Sequence, residues 1–453
     1  MKGIFTLVLA ACAVPAALAA TQLPGSLAGQ WVPPAAQTAA GAGQGDSLTV
    51  QQAVARVIAN HPAVREASQG VAVSRARVEE RQTAFSPVVA AEGLYSRIGP
   101  VEKLDFQGES FALYPANNYN ANVSLRHTLY DWGRRQAAVD QARTMEKGAT
   151  ENVELVKSRL AYRTIGAFYA IIFLRDNIAV QDEEIAALQK HLDITQEKVR
   201  SGTATNFEVL TTQVRIATAK SQRVDLVDAL EEQTIALRQL MGAPDDEPLN
   251  PAGDFMADTS AVNADSLVAL ALSQRPELTL ARNAVTTAQA QTHLASLGDR
   301  PALNLDVTVG GKNGYIPNLN EIKPNFVAAM AFQFPIFDGH LTRTRVSESE
   351  AAVQAAQARV LSLQRQVTTE VRQATAAVQA SMDKIRASQL QVQQAQAALE
   401  LARTRYQAGV ITNLDILDAE TSLSGARLME LRARYALVQS RYRLRQAVGQ
   451  KVW

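Results

Sequence analysis

Cysteine is almost missing from this sequence. The one present, Cys12, lies in the leading apolar stretch, so no disulfide can form within the chain. Excess charge is missing too: 45 basic and 44 acidic side chains leave a net charge of +1, which gives nucleic acid no basic face to bind. No stretch past the leader reaches the roughly 18 consecutive apolar residues of a spanning helix; the longest, Ile165 to Leu174, has about half of that. The five histidines, His61, His127, His191, His293 and His340, stand apart without ligand spacing or cysteine partners, which argues against a metal site. There is no G-x-x-x-x-G-K motif followed by Ser or Thr. Gly41, Gly43 and Gly45 imitate part of a phosphate loop but follow no strand. No catalytic triad or paired acid-base motif is visible. These absences speak against an enzyme and against a cofactor.

What is present begins with an export signal. Lys2, the apolar run Ile4 to Val14 and the small-x-small triplet Ala17-Leu18-Ala19 predict a signal peptide over residues 1–19. A rival reading stays open: Leu9-Ala10-Ala11-Cys12 resembles a lipoprotein cleavage box, which would make Cys12 a lipidated first residue. Residues 20–46, rich in Pro, Gly, Ala and Gln without periodicity, read as a flexible leader. An exported chain without a helical span enters the outer membrane only as part of a closed β-barrel.

The remainder is written twice. His61-Pro62 corresponds to Arg275-Pro276 and Pro87 to Pro301, each at a separation of 214 residues. Tyr130-Asp131 corresponds to Phe337-Asp338, Gly202 to Gly409, Thr205-Asn206 to Thr412-Asn413 and Gly242 to Gly449, each at 207. The change of seven falls between Pro87 and Asp131, which places an insertion in a loop tip, where length changes are tolerated. The expected organisation is a first repeat over 47–242, a linker over 243–264 and a second repeat over 265–449. Each repeat reads as helix, strand, strand, long helix, helix.

The strands alternate. Tyr119, Ala121, Val123, Leu125, His127 and Leu129 interleave with Asn118, Asn120, Asn122, Ser124, Arg126 and Thr128. Leu303, Leu305, Val307 and Val309 interleave with Ala302, Asn304, Asp306 and Thr308, and Phe326 to Phe334 supplies the apolar face of a partner strand. The loops near Gly99 to Asn117 and Lys312 to Lys323 carry the turn residues. A soluble sheet with one wet face would alternate in the same way. Yet four strands can neither close a barrel of useful bore nor hide their edges, so a membrane reading requires several chains to share one barrel.

The helices are the larger part. Gly133 to Arg200 contains no proline and extends roughly 100 Å if helical. Its counterpart runs from Gly339 to Ala408. Apolar and small residues recur at steps of three and four from Val360 to Tyr406 and from Leu414 to Tyr442, the pattern of a helix–helix seam. The helices over Pro62 to Phe85 and Asn206 to Met241, laid end to end, nearly match the long one, as in a cylinder wall.

The stretch Tyr406-Gln407-Ala408-Gly409-Val410-Ile411-Thr412-Asn413-Leu414-Asp415-Ile416-Leu417-Asp418-Ala419 resembles the helix-turn-helix signature of the TolC-like outer-membrane efflux family. The resemblance covers about residues 47 to 450. It implies a mainly α fold with a β-barrel portion: a long antiparallel coiled-coil tunnel, and four strands per protomer of a shared twelve-stranded barrel in a homotrimer. It implies an outer-membrane exit duct reaching into the periplasm of a Gram-negative bacterium. Outer-membrane lipid, a periplasmic adaptor of the membrane-fusion class and an inner-membrane RND, ABC or similar transporter are the implied partners, in tripartite efflux or type I secretion. The alternative reading is a periplasmic coiled-coil adaptor or scaffold, which shares the export signal and the heptads.

The same resemblance implies a periplasmic aperture with acidic rings. By motif position these are Asp415 and Asp418, with Glu208 the duplicate of Asp415 and Tyr406 at the hinge turn. Gly202, Thr205, Asn206, Gly409, Thr412 and Asn413 mark the helix-turn tips and the implied adaptor contact. Some members hold the closed state with an arginine in the turn; here that position is Ile411, so a salt-bridge lock is in doubt. A plainer reading stands beside this one. Thr412 with Asp415, and Thr205 with Glu208, have the spacing of capping boxes, and Asp418 fits a solvated helix face.

Overall fold

The computed structural model describes residues 47–106, 109–255 and 263–453. The expected signal peptide, leader, Cys12 and glycine triplet lie outside them. The first repeat opens with α1 (Val50–Asn60), whose start is fixed by a capping box of Thr49 and Gln52. His61 then turns extended (ψ 129°) because Pro62 follows, and Pro62 opens α2 (Pro62–Thr83). The helix expected from Pro62 is α2, and α1 is a further helix before it. Arg275 (ψ 122°) and Pro276 make the same break between α5 (Ala264–Gln274) and α6 (Pro276–Ser296).

The first repeat continues through β1 (Val88–Arg97), β2 (Lys103–Phe106), β3 (Glu109–Ala112) and β4 (Asn117–Tyr130) to α3 (Arg134–Arg200) and α4 (Asn206–Met241). The second adds β5 (Ala302–Lys312), β6 (Lys323–Gln333), α7 (Leu341–Gln407) and α8 (Asn413–Val448). The long helices α3 and α7 both have 67 residues, and α4 and α8 both have 36. The connection read as a loop near Gly99 to Asn117 contains the small β2–β3 hairpin. Its counterpart between β5 and β6 has no such strands, so the first-repeat connection is the longer one.

Strand becomes long helix at a matched corner. Asp131 Oδ2 accepts from the Arg135 amide and Asp338 Oδ2 from the Thr342 amide, both at 2.8 Å. Two residues between each aspartate and its helix adopt the left-handed region: Trp132 and Gly133 (φ 52° and 86°), then Gly339 and His340 (φ 66° and 65°).

The cores repeat as well. Val57, Val64, Leu160, Ile171, Leu237 and Met241 pack together in the first repeat. Their counterparts Ala271, Leu278, Val367, Val378, Leu444 and Val448 do so in the second. Each α2-type and α4-type helix therefore lays its apolar stripe on its own long helix, and in α7 and α8 this buries the seam that the three-four spacing announced.

The four long strands form one antiparallel sheet in the order β1-β4-β5-β6. Register puts Arg126 opposite Asp306 and Thr128 opposite Asn304, so one face is polar. The other face shows Val89, Tyr119, Val123, Phe326, Met330 and Phe332, all exposed, with Phe326 at 78%. Strands of 10 to 14 residues have bilayer-spanning length. Among the described residues, no helix is long and apolar enough to cross a membrane.

Candidate functional site

The two helix turns lie at the ends of α3 and α7 remote from the sheet, roughly 100 Å along a 67-residue helix. Their backbones match. Gly202 and Gly409 take positive φ (74° and 73°), which ends each long helix without steric strain. The amides after them return to the last helical carbonyls: Thr203 to Lys198 at 2.8 Å and Val410 to Arg405 at 2.9 Å. Thr205 and Thr412 are the N-caps of α4 and α8, and Asn206 and Asn413 the first residues of those helices.

Asp415 caps. Its Oδ2 accepts from the Thr412 amide at 2.8 Å and from Thr412 Oγ1 at 2.7 Å, while the Asp415 amide donates back to Thr412 Oγ1. Those bonds hold its carboxyl below the usual aspartate value. Glu208 accepts from the Thr205 amide and hydroxyl, each at 3.2 Å. Both carboxylates stay at the turn surface, so capping leaves their charge at the tip.

Asp418 is paired. Arg215 on α4 donates through Nη2 to Asp418 Oδ1 at 2.7 Å and through Nη1 to Thr421 Oγ1 at 3.2 Å. An arginine–aspartate link therefore exists although Ile411 occupies the turn position. Ile411 instead packs among Leu399, Tyr406, Ile416 and Leu423.

Tyr406 is buried at the end of α7. Lys198 Nζ lies 3.6 Å from the centre of its ring and donates to its carbonyl at 2.9 Å. Burial raises its phenol above the usual value. The His191 ring stands 5.2 Å away. His191 is itself buried, with Nε2 2.6 Å from Asn413 Oδ1. Farther up, Ser424 donates to Glu184 Oε2 at 2.6 Å and Arg427 to Glu183. Each of these contacts joins the first repeat to the second.

The structure thus gathers Tyr406, Asn413, Asp418 and the Gly409 turn against α3 and α4. It keeps Thr205, Asn206 and Gly202 on an exposed turn, with Glu208 half-buried beside them and its charge acting on Tyr406. His191, Lys198 and Arg215 were missed by sequence reasoning. One signal was available: Asn177, Gln181, His191 and Thr195 take seam positions on α3, and polar residues in a seam need partners. Among the described residues there is no cluster of His, Cys, Asp and Glu that could hold a metal ion.

The outer membrane efflux protein family matches this sequence over residues 39–243 and 267–450, one segment in each repeat. The outer membrane protein TolC of Vibrio cholerae is 25% identical over 383 residues, which cover 82% of this chain and 86% of that protein. The alkaline protease secretion protein AprF of Pseudomonas aeruginosa is 24% identical over 340 residues, covering 74% and 70%. In fold, the outer membrane protein VceC of Vibrio cholerae superposes with a TM-score of 0.74 at 18% identity, over 89% of this chain and 97% of that one.

Proposed function

The chain belongs to the outer membrane efflux protein family, and from that premise we propose that three copies close one twelve-stranded barrel, four strands from each. The protein is an outer-membrane channel of the efflux and secretion type that extends into the periplasm. The observation that carries the shared barrel is the open sheet: an exposed apolar face, a polar face, and unpaired edges at β1 and β6. Below it α2, α3, α4, α6, α7 and α8 of each copy wall a tunnel. Conduction is passive; a periplasmic adaptor and an inner-membrane transporter of RND, ABC or similar type deliver cargo and energy. The working protomer is the two repeats, 47–242 and 265–449, joined by the 243–264 linker and left with the 20–46 leader once residues 1–19 are removed.

The aperture lies at the helix turns. Asp415 and Asp418, repeated by the threefold axis, give a negative ring that attracts cations and narrows the exit. Tyr406 and Glu208 hold the hinge turns, and the tips at Gly202, Thr205, Asn206, Gly409, Thr412 and Asn413 meet the adaptor. Adaptor engagement shifts the paired helices apart. Replacing both Asp415→Ala and Asp418→Ala raises single-channel conductance in a planar bilayer and relieves block by divalent cations. Unchanged conductance and unchanged block would remove the aperture from these residues.

A further inference from the structure

A cavity of ≈ 1080 Å³ sits at the other end of the long helices, where the strands meet them. Its sheet-side wall includes Arg126, Thr128, Asn304 and Gln333, with Val88 and Ala302 on the same face. Its helix-side wall comes from α2, α3, α6 and α7. Six arginines line it, Arg81, Arg126, Arg134, Arg135, Arg300 and Arg345, against two carboxylates, Asp131 and Glu348.

The carboxylates offset only part of the arginine charge: three arginines have carboxylate partners, and Glu348 alone faces the other three, with no ion pair among the described residues. Asp131 is committed to Arg135, at 3.1 Å, and to the Arg135 amide. Arg126 has Asp306, at 2.8 Å, and Arg300 has only its neighbour Asp299, at 4.0 Å. Arg81, Arg134 and Arg345 are exposed and make no ion pair with a described carboxylate. Guanidinium groups stay charged at any working pH and bind carboxylate and phosphate in bidentate fashion. Like charges lining a concave wall focus their field into it.

We propose that this neck is a binding collar for anions, and that the cargo it favours carries several carboxylate or phosphate groups. The inference rests on the channel reading above, which repeats the collar three times around one lumen. The duct then has opposite signs at its two ends: acidic turns at the periplasmic tip and a cationic neck below the barrel.

The test uses the full chain, purified from outer membranes and placed in a neutral phosphatidylcholine bilayer. Inorganic tripolyphosphate is titrated onto wild type, onto an Arg81→Gln, Arg134→Gln, Arg345→Gln triple variant, and onto the same triple with lysines. Tripolyphosphate blocks the wild-type current, the glutamine triple weakens that block about tenfold, and the lysine triple keeps most of it. Raising salt to 1 M, where the Debye length falls to about 3 Å, relieves the block. Channels that conduct but show no block, or equal block in wild type and glutamine triple, overturn the collar. Protein that never conducts overturns the channel reading instead. Calorimetric titration of tripolyphosphate into the same purified protein then tests the collar alone, and equal or absent binding in wild type and glutamine triple refutes it.

Discussion

The Gly202 and Gly409 turns share a backbone and differ in what covers them. Leu417 is 0% exposed and packs on Leu188, Leu192 and Ile216, whereas its duplicate Leu210 is 60% exposed. Asn413 is buried against His191, whereas its duplicate Asn206 is exposed. Beside it, Phe207 stands 75% exposed. Duplication fixed the local geometry through Gly, Thr and the acidic capping residue. Packing then broke the symmetry: α3 and α4 enclose Leu417 at the start of α8, whereas at the start of α4 Val209 packs inward but Phe207 and Leu210 stay exposed among the described residues. The second-repeat turn is clamped, and the first-repeat turn is free to meet something else.

The largest expected difference lies in the leucines. Leu417→Ala lowers hydrogen-exchange protection of the tip helices by about 2–5 kcal/mol, the cost of a cavity in a packed core. Leu210→Ala changes it by less than about 0.5 kcal/mol, as for an open surface position. Equal effects would break the comparison and mean that assembly covers Leu210 as the protomer covers Leu417.

The asparagines come next. Asn413→Ala leaves the His191 Nε2 with only the longer contact to Thr195 Oγ1, at 3.4 Å, and costs about 1–3 kcal/mol of tip protection. Asn206→Ala leaves protection unchanged. A double variant with His191→Leu, which removes the imidazole, recovers much of the Asn413→Ala loss; no recovery would mean that His191 and Asn413 act independently.

The smallest effect is a matter of pH. The Asp415 carboxyl is held below its usual value, so its capping contribution is fully present above the ordinary aspartate range and lost as pH falls through the lowered value. Amide exchange in the first turn of α8, followed from neutral to acid pH, shows that loss. Thr412→Ala moves the loss to higher pH by removing the hydroxyl bond, the larger of the two that lower the value, while the backbone amide bond remains. Asp415→Asn flattens the profile, and a profile unchanged by both variants would separate capping from the titration.

Much of this was legible in the residues because periodicity reports faces. Period two located β4, β5 and β6, steps of three and four located the seams of α7 and α8, and the absence of proline together with the duplication located α3 and α4. Gly, Thr and the acidic third position marked both turns. The helix start at Pro62 was legible, whereas the short helices before Pro62 and Pro276 were not read from the sequence. The asymmetry between the turns was not legible. His191 and Asn413 lie 222 residues apart, and Arg215 and Asp418 lie 203 apart, so no local window contains either pair. The inward side of α8 is likewise a property of packing between repeats, not of its own sequence.

The central claim is that the open edges of this sheet are closed by other copies of the chain. In one protomer β1 and β6 are opposite edges, separated by β4 and β5. Sequence past Cys12 holds no cysteine, so introduced thiols stand alone there. The most direct measurement pairs Val89→Cys in β1 with Phe326→Cys, Ala328→Cys, Met330→Cys or Phe332→Cys in β6, one combination at a time, and oxidises intact outer membranes. At least one combination should yield a species of three covalently joined chains on denaturing gels, reversed by reductant and absent from either single variant. Chains that remain single in every combination would contradict the shared barrel.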